Sequence, residues 1–206
     1  MLGNEHLGFE FTGNMDTSQD QEKNLIQAAK EGSISAFERL LAFYEKKIFS
    51  YIYGFIRQKQ DAEDLTQETF IKAYKNLSAL EPEKGIRAWL YAVATNTTYD
   101  WLRRRSSHPE LFIIDDPENP FETIDEAIPY IPIERATDLK SALTKLKPVY
   151  RTVLLLYYKE DLSYQEIASV LSVPLNTVKT HLSRAKQALK KELESKAEVG
   201  ETSLPL

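Results

Sequence analysis

Ser163-Tyr-Gln-Glu-Ile-Ala-Ser-Val-Leu-Ser-Val-Pro-Leu-Asn-Thr-Val-Lys-Thr-His-Leu-Ser-Arg-Ala-Lys186 reads as two short helices meeting at a tight break. Ser163 and Glu166 have the spacing of a capping box, in which the serine caps the first turn and the glutamate reaches back. Ile167, Ala168 and Leu171 follow at helical spacing. Pro174 then disfavours helix for the residue before it, and a second helix begins near Asn176 or Thr177. Val178, Leu182, Ala185 and Leu189 recur at i, i+4, i+7 and i+11, within a sector of about 60° that faces a core. From Leu175 to Lys191 there are five basic residues and no acid. A short helix, a break and a basic second helix suit the DNA major groove, with early residues meeting base edges and later lysines meeting phosphates. A solvated basic face is the plainer alternative; capping box, proline break and acid-free helix together weigh against it.

The chain around this unit has 206 residues, enough for one large or two small domains. It is 42% hydrophobic and 28% charged, so it can bury a core and stay soluble. It lacks cysteine, which removes disulfides, thiolate metal sites and cysteine nucleophiles and fits a reducing cytoplasm. Its longest apolar run, Val153 to Tyr158, cannot span a bilayer. No basic residue precedes Lys23 and no apolar segment follows the start, so no signal peptide is expected. No glycine falls between Gly85 and Gly200, which points away from a turn-rich β fold.

Five of nine prolines (Pro109, Pro117, Pro120, Pro129, Pro132) crowd into one stretch. From Ser106 to Glu134 eight acids occur with no lysine or arginine. A segment of charge −8 with many prolines resists packing and reads as a linker. Since the whole chain is −5, the remainder carries +3 by subtraction (−5 − (−8)). The expected fold class is therefore all-α, with two small helical domains on an acidic, Pro-rich linker. The expected boundaries are a tail at 1–20, a helical domain at 21–106, the linker at 107–136, a helix-turn-helix domain at 137–196 and a tail at 197–206.

The first domain holds two further surfaces. Ala36 to Arg57 is dense in aromatic and aliphatic residues and reads as buried helix. In Asp61 to Leu77, Ala62, Leu65, Thr66, Phe70, Ala73 and Leu77 form one face; Asp61, Asp64, Gln67, Glu68 and Lys72 form the other. Acids in a first turn suit the helix dipole; the same acids also make a docking face for a basic partner. A third helix, from about Ile86 to Arg105, interleaves Trp89, Tyr91, Tyr99 and Trp101 with Arg87 and a terminal Arg103-Arg104-Arg105. Leu90, Val93, Ala94, Thr97 and Trp101 are its expected buried seam. The remaining aromatics suit base stacking, worth about 1–3 kcal/mol per base, or simply the core.

These segments resemble a known family. Asp61-Ala-Glu-Asp-Leu-Thr-Gln-Glu-Thr-Phe-Ile-Lys-Ala-Tyr is similar to region 2.2 of the sigma-70 family of bacterial transcription initiation factors, and Trp89 to Arg104 to regions 2.3 and 2.4. Tyr150-Arg-Thr-Val, Ser163 to Ala168 and Thr177 to Ala185 resemble region 4. Their order and spacing fit the extracytoplasmic-function group, which has only domains 2 and 4. The match runs from about residue 22 to 195.

The resemblance implies a function: an alternative sigma factor that binds core RNA polymerase and directs promoter-specific initiation. It implies that Asp61, Asp64, Leu65, Gln67 and Glu68 contact core polymerase at the β′ clamp helices, with the β flap as a further contact. It implies −10 element contacts by Lys84, Trp89, Asn96, Tyr99, Arg103 and Arg104, the loop from Ala79 to Gly85 capturing a flipped base. It implies −35 contacts by Asn176, Thr177, Lys179, Thr180, Ser183, Arg184 and Lys186. Promoter DNA, an anti-sigma factor and no cofactor or metal complete the implied partner set, with no membrane insertion of its own. The linker would thread the polymerase cleft, where a charge of −8 suits a basic channel and yields to RNA. Ile86, where an aromatic is common, and Thr95, where arginine is frequent, depart from the pattern beside the −10 reader. One alternative is a stand-alone helix-turn-helix regulator with an N-terminal sensing or dimerisation domain; it would bind DNA specifically without polymerase. An enzyme is disfavoured: His6, His108 and His181 fall in the tail, the linker and the DNA helix, and no phosphate loop or glycine-flanked serine nucleophile appears.

Overall fold

The computed structural model of the chain describes residues 15–81, 86–112 and 136–201, and every regular element among them is helical. Helix α1 spans Met15–Lys30, α2 Ile34–Ile56, α3 Lys59–Lys75 and α4 Arg87–Arg105. Helices α5 (Ala136–Lys145), α6 (Pro148–Leu154), α7 (Tyr164–Leu171) and α8 (Leu175–Glu201) form the second group. Short 3-10 turns follow α3, at Leu77–Ala79, and α4, at Pro109–Phe112. Helix α1 thus begins inside the expected tail at 1–20, and α8 runs into the expected tail at 197–206. Most of the expected linker lies outside the described residues; its start, Pro109–Phe112, is a turn whose Phe112 ring meets Tyr99 edge-on at 5.8 Å.

Local chemistry sets the helix ends. Gly32, at φ +100°, turns the chain between α1 and α2 in a region costly for other residues. The Ser33 hydroxyl oxygen then accepts from the Ala36 amide at 3.3 Å, a side-chain cap for α2. Arg57, left-handed at φ 56°, ends that helix. Along α2, Phe37, Leu40, Tyr44, Ile48, Tyr51, Ile52 and Phe55 are buried, a stripe at helical spacing. Glu22 ties α1 down by accepting from the Tyr44 hydroxyl at 2.9 Å and the Ile86 amide at 3.3 Å. Threonines buried in α3 and α4 remain satisfied because Thr66, Thr69, Thr95 and Thr98 donate to carbonyls four residues back, at 2.7 Å each.

In the second group Pro148 opens α6 at a position where its missing N–H costs nothing. A π-helical turn, Leu155–Lys159, follows directly. Arg151 satisfies the C-terminal end of α5, its Nε donating to the Leu143 carbonyl at 2.7 Å and Nη2 to that of Thr144 at 2.5 Å. Burial, reinforced by nearby Arg57, pushes its guanidinium down to about 10. The buried core is continuous from α1–α4 into α5–α8, so the two groups share one apolar interior in this state.

Candidate polymerase- and DNA-binding surfaces

Both members of the predicted capping box form. The Ser163 oxygen accepts from the Glu166 amide at 3.2 Å, and Glu166 Oε2 accepts from the Ser163 amide at 2.8 Å. Helix α7 ends at Ser172, left-handed at φ 55°, and α8 begins at Leu175. Val178, Leu182, Ala185 and Leu189 are all buried, as their spacing requires.

The opposite side of α8 departs from expectation. Thr177, Thr180, Ser183 and Lys186, expected to meet −35 DNA from an exposed face, are buried. Thr180 lies about half a turn from the apolar seam, yet it is only 5% exposed. Lys179 and Arg184 are half-buried, and Asn176 is exposed. Between Thr177 and Lys186 every residue of α8 is buried or half-buried, the helix packing on α5, α6 and α7 of its own group, so the set as a whole does not face solvent. Helical periodicity identifies a seam; it carries no information about what covers the other side.

The acidic helix presents the face expected of it, with one correction. Asp64 and Gln67 are exposed, and Asp61 and Glu68 half-buried. Glu68 pairs with Lys72 at 2.8 Å, an exposed i,i+4 pair of modest worth. Leu65 is 2% exposed and packs in the core, because it lies on the apolar side of α3. Two residues continue the exposed face instead: Ile71 and Tyr74, each seven positions beyond Asp64 and Gln67. That spacing was available in the sequence. The result is a surface of acids at one end and exposed apolar groups at the other, the composition of a protein-docking surface.

Helix α4 is divided between solvent and core. Asn96, Arg103 and Arg104 are exposed, and Trp89 is half-buried. Arg103 pairs with Asp100 at 2.7 Å, and the Arg105 guanidinium sits 3.9 Å above the Trp101 ring. Lys84 and most of its loop lie outside the described residues. Of the expected seam, Leu90, Ala94 and Thr97 are buried, while Val93 and Trp101 are only half-buried. Tyr99, expected at −10 DNA, is 3% exposed and shares a 2.7 Å hydrogen bond with Thr152 of α6. Tyr91, Thr95 and Thr98 are buried as well. Helix α4 packs on α2 and α3 on one side and on α7 on another, so it has two buried faces where a single amphipathic stripe was expected.

The second face forms a polar seam between the two helical groups. The Tyr91 hydroxyl donates to Glu160 Oε2 at 2.5 Å. Arg87 Nη2 donates to the carbonyls of Glu160 and, at 3.0 Å, Asp161, and its guanidinium lies 3.8 Å from Glu166. Lys159 Nζ donates to the Ser50 carbonyl at 2.7 Å, and Arg57 reaches the Lys140 carbonyl. Burial first, then the bond to Glu160, holds the Tyr91 hydroxyl well above its usual pKa; burial does the same at Tyr51 and Tyr99. None of these cross-group pairs leaves a local sequence signal, since the partners lie 50 to 110 residues apart. No helix among the described residues is long and apolar enough to cross a membrane.

The model of sigma-70 region 2 matches residues 40–108, and that of sigma-70 region 4 matches residues 136–189. The ECF RNA polymerase sigma factor SigW of Bacillus subtilis (strain 168) is 32% identical over 187 residues, 83% of this chain and 96% of that protein. Among solved structures, CnrH in complex with the cytosolic domain of CnrY superposes with a TM-score of 0.65 at 24% identity, covering 85% of this chain and 99% of CnrH. The sigma factor RpoE in complex with the anti-sigma factor NepR from Bartonella quintana gives a TM-score of 0.59 at 23% identity, covering 78% and 98%. These two share the fold. With region 2 on α2–α4, region 4 on α5–α8 and a full-length relative of this identity, the chain belongs to the extracytoplasmic-function group of the sigma-70 family of RNA polymerase sigma factors.

Proposed function

We propose that the chain is an alternative sigma factor, a dissociable subunit that binds core RNA polymerase and directs initiation at its own promoters. It makes and breaks no covalent bond. The observation that carries the reading is the ordered match of region 2 and region 4 to one chain, with SigW related along nearly all its length.

In this reading Asp64, Gln67 and Glu68 on α3, with Asp61 at its start, dock on the β′ clamp helices, and Ile71 and Tyr74 extend the contact. The face suits a partner with basic and apolar groups, because exposed acids select a basic partner and the apolar ends add burial. Asn96, Trp89, Arg103 and Arg104, with Lys84, serve −10 DNA. Exposed arginines at the end of α4 suit phosphates, and a base leaving the duplex is held by stacking and edge contacts. Helices α7 and α8 form the helix-turn-helix for −35 DNA, with exposed Asn176 and half-buried Lys179 and Arg184 reaching it. The acidic linker sets the reach between the two and passes through polymerase. An overall charge of −5 keeps nonspecific DNA affinity low for the free factor. The site of action is the cytoplasm, and an anti-sigma protein, of the kind bound to RpoE in its complex, holds the factor inactive there or at the membrane.

Co-purification with bacterial core polymerase tests the reading, alongside binding of the free protein to a genomic DNA pool. Stoichiometric core capture, with promoter-selective DNA binding only in its presence, is the expected result. Tight sequence-specific duplex binding by the free chain, with no core capture, would refute it in favour of a stand-alone regulator.

A further inference from the structure

We propose that α1 is a clasp for the −10 reader: Glu22 and Lys30 hold the chain at Leu80 and Ile86, on either side of the base-capturing loop, and so set the position from which domain 2 reads a −10 base. This positioning role rests on the sigma-factor reading. It falls to a helix that ends at Lys30, ahead of the region 2 match, which begins at residue 40.

The two contacts fall one on each side of the loop. Lys30 Nζ donates at 2.7 Å to the carbonyl of Leu80, the residue that closes the 3-10 turn Leu77–Ala79. Glu22 Oε1 accepts at 3.3 Å from the amide of Ile86, and Oε2 accepts at 2.9 Å from the Tyr44 hydroxyl. The charges match what each side presents. An ammonium meets a carbonyl at the end of a turn, and a carboxylate meets an amide at the positive end of a helix dipole. Ile86 stands at the cap position of α4 with an apolar side chain, so it cannot supply an acceptor of its own. The carboxylate comes instead from 64 residues back.

Helix α1 does not need these two ions to stay in place. Ile26 and Ala29 are buried, and Leu25 and Ala28 pack beside them on the core, a seam that fixes the helix by apolar burial. The ions therefore act outward, from a fixed α1 onto the chain at Leu80 and Ile86. Both targets are main-chain atoms, so the contacts set the course of the backbone whatever side chains the loop carries. Tyr44, buried on α2, orients the Glu22 carboxylate in turn. Ile86 immediately precedes the helix that carries Trp89 and Asn96, and a shift at its first turn moves both readers together. Reading groups held in place beforehand lose less freedom when a base leaves the duplex, which is what such anchoring contributes.

The test is a transcription assay that needs no known promoter. The full chain, with core polymerase from Bacillus subtilis, transcribes a duplex library randomised over both the −35 and −10 elements. Sequencing the transcripts gives the base preference at each element separately. Glu22→Ala and Lys30→Met should each lower the −10 preference roughly fivefold, part of the tenfold or more that one charge-assisted hydrogen bond can carry. The −35 preference should stay as in the wild type. Lys30→Arg, which keeps a cationic donor, should restore the −10 preference. Titration with core should give the wild-type midpoint for all three, because the exposed face of α3 is untouched.

A −10 preference unmoved by both Glu22→Ala and Lys30→Met would overturn the proposal. So would an equal loss at both elements, or no recovery in Lys30→Arg, since either result would make α1 a general support of the fold. No core capture and no library transcript with the wild-type chain would remove the sigma-factor reading, and the proposal with it.

Discussion

Replacing Tyr91 by phenylalanine removes one oxygen and little else. The ring keeps its edge-on contact with Tyr51, whose centroid lies 5.4 Å away. What is lost is the hydroxyl that donates to Glu160 Oε2 at 2.5 Å. Glu160 is 8% exposed, and its nearest cation, Lys159 Nζ, stands 4.0 Å away on a side chain 40% exposed. That ion pair is too solvated to replace the hydroxyl. A hydrogen bond to a charged group contributes about 1.5–3 kcal/mol, against about 0.5–1.5 kcal/mol between neutral groups. Tyr91→Phe should therefore destabilise the folded chain by about 2 kcal/mol. Glu160→Gln, which keeps shape and an acceptor but removes the charge, should cost about 1 kcal/mol. The double variant should cost about 2 kcal/mol rather than 3, a coupling of about 1 kcal/mol in a double-mutant cycle. Urea unfolding followed by circular dichroism measures all three. Additive single costs, with coupling below about 0.3 kcal/mol, would show that the two side chains do not meet and refute the reasoning.

Asp64→Lys with Gln67→Ala reverses charge on the exposed face of α3 away from its core side. It should weaken core-polymerase binding at least tenfold in a titration while leaving the thermal midpoint nearly unchanged; unchanged core affinity would sink the docking assignment. Lys179→Ala with Arg184→Ala should abolish −35-dependent transcription and leave core binding intact, and loss of core binding would contradict the division of labour. Alkaline stability has a definite sign. Tyr44, Tyr51, Tyr91 and Tyr99 are held, chiefly by burial, above the ordinary value of 10.0. Below pH 10 folded and unfolded chains both keep these protons, so their contribution is complete. Above it only the unfolded chain ionises readily, and stability falls. Arg151, lowered to about 10, and Lys159, also lowered, act in the opposite sense. Four tyrosines outweigh them, so the urea midpoint should hold from about pH 7 to 9 and drop between about 10 and 11.5. A midpoint that rose over that interval would contradict the burial of these hydroxyls.

The C-terminal unit was legible because its determinants are local. A capping box needs only Ser163 and Glu166 three residues apart, and the seam of α8 only the 3.6-residue period; both formed as read. The acidic face of α3 was legible for the same reason. Its error, Leu65, arose where a residue's place in a recognised segment was weighed above its own position on the apolar side. The full-length resemblance to the sigma-70 family was likewise carried by order and spacing along the chain.

Helix α4 marks the limit. Periodicity assigns each residue an angle around one axis, and it identifies a buried side only when apolar residues gather there. Tyr91, Thr95, Thr98 and Tyr99 carry hydroxyls, so their side resembles a solvent face in sequence. Buried threonines that bond back to their own helix, and tyrosines that find Glu160 and Thr152, remove the desolvation cost that such a pattern suggests. The space left by Gly54 for Leu155 is decided in the same way, by a group far away along the chain. Helix type, helix ends and the family follow from near neighbours and are written in the sequence. Which faces meet, and so which binding residues the free protein exposes, depends on partners that only the folded chain brings together.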